Sequence, residues 1–308
     1  MGEYLIIDAH SHLWLKQDTM VGGQRVRTID SRSEFLGEIR QMLPPFMIDG
    51  KNTAEVFLSN MNYAQVGGAV VVQEFIDGNQ NEYLSEVVKK YPDRFRVFGM
   101  TDYLSDSFAG EAEKILAGPF VGMAIPGHRL HRSDGSRVSL NGDEMMKMMK
   151  SLEASGKILS LSLEKGTSQI GEVEDIITEC PRLKIAIAHF GMVTCDGWKE
   201  QIRLARHENV MIESGGITWL FNSEFYPFRG AVKAIREAID MVGGGKLMWG
   251  SDYPRTITAI TYRMSYDFIT KSDMLSEEEK RLFLGENAGR FYGFGELPTL
   301  PYIKNMSE

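Results

Sequence analysis

Apolar runs of strand length recur along the chain at a regular beat, each followed by a stretch whose apolar positions repeat at helical spacing. Strands are expected at about 4–10, 69–74, 95–101, 120–125, 158–164, 184–189, 209–214 and 246–251. Helices are expected at about 52–65, 80–91, 107–117, 142–155, 168–179, 197–207, 229–242 and 276–290. Pro92 and Pro181 fall just beyond two of these helices, where a residue without an amide N–H is suited to end them. Ser276, with Glu279 three residues on, makes a capping box at the start of the last helix. Eight strands alternating with eight helices predict an α/β fold, a (β/α)8 TIM barrel in one domain, rather than an open doubly wound sheet. The absence of a glycine-rich fingerprint after the first strand also argues against a dinucleotide-binding fold.

Two segments break the beat. Residues 13–51 form a long loop insertion after the first strand, carrying Trp14, Arg25, Arg27, Arg32 and the Pro44–Pro45 pair. Residues 126–141, with the run GHRLHRSDGSR, form an irregular loop after the fourth strand. Both follow a strand and precede its helix, which places them at the C-terminal mouth where barrel active sites are built, unless they are surface decoration. The barrel is expected over 1–294, with 295–308 as a Pro-containing C-terminal tail.

Composition narrows the function. The 308 residues are 43% hydrophobic and 25% charged, and 34 basic against 42 acidic residues give a net charge of −8. The isoelectric point is near 5.4 and the mean hydropathy −0.21. No segment is rich enough in Lys and Arg for a nucleic-acid or polybasic membrane surface. The longest apolar runs, such as Ala69–Val72, are strand-length, so no membrane span is expected. The opening MGEYLIIDAH lacks the basic and apolar regions of a signal peptide. Cys180 and Cys195 are too few for a disulfide framework and match no zinc spacing. The expectation is a cytoplasmic, acidic and globular protein, with homo-oligomerisation through the outer helices left open.

Candidate chemistry sits at the strand ends. In IIDAHSH, alternation puts Asp8, His10 and His12 on one face, so two imidazoles about 6.6 Å apart can converge on one ion or substrate atom. With six histidines in the chain, one His-x-His is expected by chance on the order of 0.1 times; the competing reading is structural hydrogen bonding. His189 ends the sixth strand on the face of Ile185 and Ile187, and is either a mouth residue or a satisfied core histidine. Asp252, after the eighth strand in LMWGSDYP, is either a proton acceptor or metal ligand, or an Asx-turn before Pro254. In the fifth strand Leu159, Leu161 and Leu163 should pack on the helices, with Ser160, Ser162 and Glu164 facing the axis. Glu164 would then reach the mouth, as a metal ligand or as the partner of Arg129 or Lys165.

Further candidates are His128, Arg129, His131 and Arg132 in the fourth loop, able to clamp a carboxylate or simply solvated. Gln73, Glu74 and Asp77 end the second strand and Glu213 the seventh, and any of these acids can enter the site. Trp219, Phe221, Tyr226 and Phe228 suit ring stacking, a lid or plain packing. His207, near a helix C-terminus, suits the helix dipole, and Met145–Met149 a buried helix face.

These residues carry a resemblance. IIDAHSHLW, KIAIAHFG, LMWGSDYP and LGENAGRFYGF resemble the opening strand, sixth strand, eighth strand and final helix of the amidohydrolase superfamily. The closer likeness is to its amidohydrolase-related branch, which includes 2-pyrone-4,6-dicarboxylate lactonase, sugar-acid lactonases and metal-dependent decarboxylases such as aminocarboxymuconate-semialdehyde decarboxylase. The resemblance covers nearly the whole chain, including YPDRF and ECPRLKIAIAHFG. It implies that the family's His-x-His falls on His10 and His12, its strand-six histidine on His189 and its strand-eight aspartate on Asp252. Metal-dependent members place a histidine ligand on strand five, and LSLSLEKG has none; the lactonase group also lacks it and can work without metal.

The resemblance therefore implies a lactone hydrolase for a small, carboxylate-bearing sugar acid or cyclic dicarboxylate. Asp252 would take a proton from water, His189, His12 and an arginine would polarise the carbonyl, and Arg129, Arg132, His128 and Trp219 would bind substrate. The cofactor is either none or one divalent ion, Zn or Mn, on His10, His12, Glu164 and Asp252. The rival readings are a metal-dependent decarboxylase or amide-type hydrolase, and a barrel that binds a ligand without turnover.

Overall fold

A computed structural model describes residues 4–301 and 303, apart from 16, 22–23, 30–31, 36–37, 42 and 45. Pro45, the first three residues and the end of the tail therefore lie outside the described residues. The strands are β1 (Ile7–Ser11), β2 (Asp18–Val21), β3 (Gln24–Ile29), β4 (Arg32–Phe35), β5 (Glu38–Gln41), β6 (Gly68–Val71), β7 (Phe95–Gly99), β8 (Gly122–Pro126), β9 (Ile158–Ser162), β10 (Lys184–Ile187), β11 (Val210–Glu213) and β12 (Leu247–Met248). Eight of them pair in parallel in the order β1, β6, β7, β8, β9, β10, β11, β12. The ring closes through backbone bonds from Ala9 N to Trp249 O (2.8 Å), Asp252 N to His10 O (2.9 Å) and His12 N to Tyr253 O (2.8 Å). This is the (β/α)8 barrel that the alternation of strands and helices implied.

Burial on both faces explains the near-continuous apolar strands. Inside, Ile7, Ala9, Val70, Val72, Phe98, Ala124, Ile158, Ala186, Met211 and Met248 pack together, small residues alternating with large to fill the narrow interior. Outside, Leu159, Leu161 and Leu163 join the larger layer between strands and helices, as expected of the fifth barrel strand. The helix Arg229–Val242 shows why such a helix docks, since Ala231, Val232, Ala234, Ile235, Ala238 and Ile239 form one buried stripe. At the strands' N-terminal end, Ala288 and Tyr292 belong to the interior cluster, and Phe294 and Leu297 pack against it.

The structure departs from the sequence reading in several places. The insertion after β1 holds a four-stranded antiparallel sheet, β2-β3-β4-β5, where only an extended loop was expected. Its strands have four to six residues, and its period-two signal lies in Arg25 exposed, Val26 buried and Arg27 half-buried, too short a run to stand out. Met264–Thr270 is a helix that was not expected. The last helix is interrupted by a π-helical stretch, Leu282–Glu286, although its predicted start holds: Ser276 and Glu279 each bond the other's backbone N–H.

The departure that matters most is in β1. Asp8 pairs with Ala69 and Ser11 with Val71, so three steps on β1 match two on β6, which is a bulge. It breaks the alternation that would have put Asp8 with the histidines. Asp8 lies behind the barrel wall, accepting from Ser251 N (2.8 Å), Ser251 Oγ (2.5 Å), Tyr262 OH (2.7 Å) and His10 N (3.1 Å). His10 and His12 turn into the mouth.

Close strand approach limits what β8 tolerates. A Cβ on Gly122 would overlap the carbonyl oxygen of Ile158 in β9. Gly122→Ala is expected to lower the unfolding free energy by about 1–3 kcal/mol through forced displacement of that strand pair, read from urea denaturation midpoints. An unchanged midpoint would show that the pair moves apart freely.

Candidate active site

The C-terminal mouth encloses a cavity of about 220 Å3 whose lining includes His10, His12, His128, Arg129, His189, Trp219 and Asp252. His10, His12, His189 and Asp252 arrive there by local backbone devices. The bulge brings His10 and His12 from β1. His189 and Asp252 both have positive φ, 59° each, a left-handed conformation that costs a non-glycine residue ~1–3 kcal/mol and persists only where surroundings enforce it. For His189 that turn matters. Ile185 and Ile187 face the outer layer, so simple alternation would have sent the imidazole outward with them.

The centre of the site is a convergence of three acceptors. His10 Nε2 and His12 Nε2 are 3.1 Å apart, and Asp252 Oδ1 lies 3.2 Å from His12 Nε2 and 3.6 Å from His10 Nε2. Each imidazole spends its other nitrogen on a carboxylate: His10 Nδ1 on Glu213 at 2.7 Å and His12 Nδ1 on Asp77 at 2.7 Å. Protonated Nδ1 atoms leave two Nε2 lone pairs facing each other, an arrangement stable only with positive charge between them.

The titration directions agree. Burial opposes a charge on His12, but Asp77 and Asp252 outweigh it and raise its pKa well above the usual imidazole value. Burial also opposes a charge on His10, and Glu213 reverses the balance. Burial alone would raise the Asp252 carboxyl, yet the His12 hydrogen bond and the charges of His12 and His10 hold it far below the usual carboxylate range.

A divalent ion fits this donor set. His10, His12 and Asp252 each offer one atom within 4.8 Å of the others, and they are the group of that kind among the described residues. Two imidazoles and a carboxylate are a borderline N/O set suited to Zn or Mn, and three protein donors leave room for water or substrate. Glu213 and Asp77 stand where carboxylates orient metal-binding imidazoles. Glu164, the expected fourth donor, is elsewhere: it bonds His131 Nε2 at 2.8 Å and accepts from Ser168 Oγ at 2.6 Å. β9 ends at Ser162, so strand alternation no longer governs Glu164. Ser160 and Ser162 do line the cavity.

His189 is of another kind. Its Nδ1–H donates to Gly215 O at 3.0 Å, which leaves Nε2 as the acceptor. Burial, reinforced by His10, lowers its pKa below the usual value, so it is neutral at pH 7. Of the fourth-loop candidates, Arg129 lines the cavity with its Nε 2.5 Å from Glu74 Oε1. His128 lines it too, pushed down to about 4 by burial and therefore a neutral partner. Arg132 is exposed and is not among the lining residues. Trp219 donates its indole N–H to Asp252 Oδ2 at 2.7 Å.

The sequence reading missed Arg255, which lines the cavity with its guanidinium 4.5 Å above the Trp219 ring. It also missed Gln17 and Ser33, lining residues from the inserted segment. Arg255 follows the SDYP motif directly and was findable by its place beside Asp252; nothing in the insertion marked Gln17 or Ser33.

The chain belongs to the amidohydrolase family, whose sequence profile, described as Amidohydrolase, matches residues 7–294. No curated protein gives a significant match. Among solved structures it is similar to a probable 2-pyrone-4,6-dicarboxylic acid hydrolase from Acinetobacter baumannii with citric acid bound, at 19% identity and a TM-score of 0.68, covering 94% of this chain and 99% of that one. An amidohydrolase from Burkholderia multivorans with bound Zn has 17% identity and a TM-score of 0.69, over 96% and 100% of the two chains. A 2,6-dihydroxybenzoate decarboxylase from Rhizobium has 14% identity and a TM-score of 0.64, over 95% and 99%. At these identities the likeness establishes the fold. No helix among the described residues is long and apolar enough to cross a membrane.

The carboxylates behind the histidines carry a prediction. Glu213→Gln is expected to weaken Zn2+ binding by about 10–100-fold, measured by competition with a chromophoric chelator on metal-stripped protein. Affinity equal to the wild type would separate Glu213 from the ion site.

Proposed function

We propose that this amidohydrolase opens the lactone ring of a small carboxylate-bearing substrate, a sugar acid or a cyclic dicarboxylate. The observation that carries the reading is that one cavity holds both the His10–His12–Asp252 convergence and a separate set of cations, Arg129, Lys165 and Arg255. The first suits attack by water on a carbonyl, and the second suits an anionic substrate held beside it. A volume of about 220 Å3 is the scale of a small ring with its carboxylates, below the range usual for drug-sized ligands.

His10, His12 and Asp252 would hold the divalent ion, which when bound supplies Lewis acidity at the carbonyl. The chain's own residues account for the protons. Asp252 is held so far below the usual carboxylate range that it is a weak base and serves better as a fixed anion. His189, neutral and with Nε2 free of its proton, is the stronger acceptor. It takes a proton from the attacking water as the water oxygen bonds to the carbonyl carbon. It returns that proton to the ring oxygen as the ring C–O bond breaks, leaving a hydroxy acid. Arg129 faces the substrate while its other contact, Glu74, keeps the guanidinium oriented; burial opposes the Glu74 charge, and Arg129 together with the neighbouring imidazoles more than offsets it and keeps Glu74 ionised. Asp252 and His189 were both read from the sequence as catalytic, and in this reading the base role passes from the first to the second.

A second reading, decarboxylation of a small carboxylic acid, is favoured by the same His10–His12–Asp252 group, which suits holding a carboxylate through an ion as well as activating water. Turnover separates the two, since ring opening releases a proton and decarboxylation releases carbon dioxide. In a panel of sugar-acid and dicarboxylate lactones followed by proton release, the wild type is expected to turn over at least one member. Asp252→Asn and His189→Ala are each expected to lose at least ~100-fold in kcat with the fold intact by circular dichroism. Near-wild-type turnover in either variant would sink the mechanism, and carbon dioxide release from a carboxylic acid panel would replace it with the second reading.

A further inference from the structure

Asp252 has two carboxylate oxygens, and they do different things. Oδ1 faces the histidine pole, 3.2 Å from His12 Nε2, whereas Oδ2 accepts the Trp219 indole N–H at 2.7 Å. An indole nitrogen can only donate and does not titrate in the physiological range, so this bond has one polarity under all working conditions. The bond is also short and charge-assisted, because the acceptor is a buried carboxylate. Asp252 needs such an anchor, since its backbone is in the left-handed region at φ 59° and its side chain hangs from a loop beyond the two-residue strand β12.

The fold makes room for the indole and holds it. Gly216, at φ 72°, precedes the short helical turn Ile217–Leu220 that carries Trp219. A Cβ at Gly216 would overlap Trp219 Nε1 itself, so the glycine clears the path by which the N–H reaches Asp252. The His189 ring lies with its centroid 6.0 Å away, tilted by 59°. The Arg255 guanidinium sits 4.5 Å from the centre of the Trp219 ring. A cation over the π-face attracts the ring and draws electron density from the indole, strengthening its N–H as a donor. The seventh and eighth barrel loops are thus tied together through the carboxylate they both address.

We propose that Trp219 is a positioning residue: its indole N–H captures Asp252 Oδ2 and so reserves Oδ1, in one orientation, for an ion shared with His10 and His12. This gives Trp219 a part distinct from contact with substrate, and it rests on the ion site put forward under the proposed function. Without the indole, the carboxylate is free to turn, to present both oxygens or to pair with Arg255 instead. The ion site is then assembled in a smaller share of molecules, and affinity falls in proportion.

The test uses the whole chain, stripped of metal, with Zn2+ alone as the probe. In 1H–15N spectra the Trp219 indole signal is assigned by its loss in Trp219→Phe, and it is expected to move upfield in Asp252→Asn. Trp219→Phe keeps an aromatic face under Arg255 but removes the donor, and it is expected to weaken Zn2+ binding by about 10–100-fold. The metal-free variant should melt within a few degrees of the wild type. Gly216→Ala, which displaces the indole without deleting it, should weaken Zn2+ in the same direction and serves if Trp219→Phe fails to fold. An indole signal indifferent to Asp252→Asn would overturn the contact. Wild-type Zn2+ affinity in Trp219→Phe would overturn the positioning role while leaving the ion site standing. A wild-type protein that itself takes up no Zn2+ would overturn both, and is told apart because the loss is then present before any substitution.

Discussion

The site depends on one join, where β1 meets the segment that follows β12. Three backbone hydrogen bonds cross it, and two of them involve site residues directly: Asp252 N to His10 O and His12 N to Tyr253 O. Behind it the Asp8 carboxylate accepts from Ser251 and Tyr262 on one side and from the His10 amide on the other. A carboxylate ringed by donors has no bond to give and no geometry in which all are kept if the two segments slide. Register at the join therefore becomes distance at the site, since the imidazoles and the Asp252 carboxylate hang from its opposite sides. Because the join also closes the barrel, the structure cannot open there without dismantling the convergence of His10, His12 and Asp252.

The beat of apolar strands and amphipathic helices was legible because a barrel repeats one physical solution eight times, and both faces of every strand demand apolar residues. His10, His12, His189 and Asp252 were legible as strand-end residues for the same reason: the fold sends such positions to one mouth. What was not legible depends on departures from ideal geometry. The bulge in β1 moves Asp8 away from the histidines, and no residue there announces it. The left-handed backbone at His189 carries the imidazole inward against the alternation of Ile185 and Ile187. Glu164 failed as a site acid because the alternation was carried past the end of β9. Glu213 and Asp77 were visible as acids near the mouth, but their pairing with one histidine each is a three-dimensional fact.

The inserted sheet changes the character of the mouth. Gln17 donates to the carbonyl of Ile76 at 3.0 Å, fastening the insertion to the turn Phe75–Asp77 that presents Asp77 to His12. Trp14 and Asn52 exchange backbone bonds at 2.9 and 3.0 Å, so the insertion is pinned at both of its ends. One wall of the cavity is consequently made by a segment of short strands, while the floor is made by the barrel itself. Such a division lets the wall vary in sequence without disturbing the acceptors on the floor.

The join has a temporal consequence. Asp8 and Ser251 are 243 residues apart in the chain, so during synthesis the first barrel strand emerges long before the segment it must meet. At ~5–20 residues per second, that interval is on the order of 10–50 seconds. Until then β1 has only β6 beside it, and its other edge presents unpaired amides and carbonyls next to the apolar interior residues Ile7 and Ala9. The last barrel loop is thus both the carrier of Asp252 and the cover for an edge that would otherwise invite pairing with another chain. The strand edge that a growing chain leaves open is covered only when the ring closes.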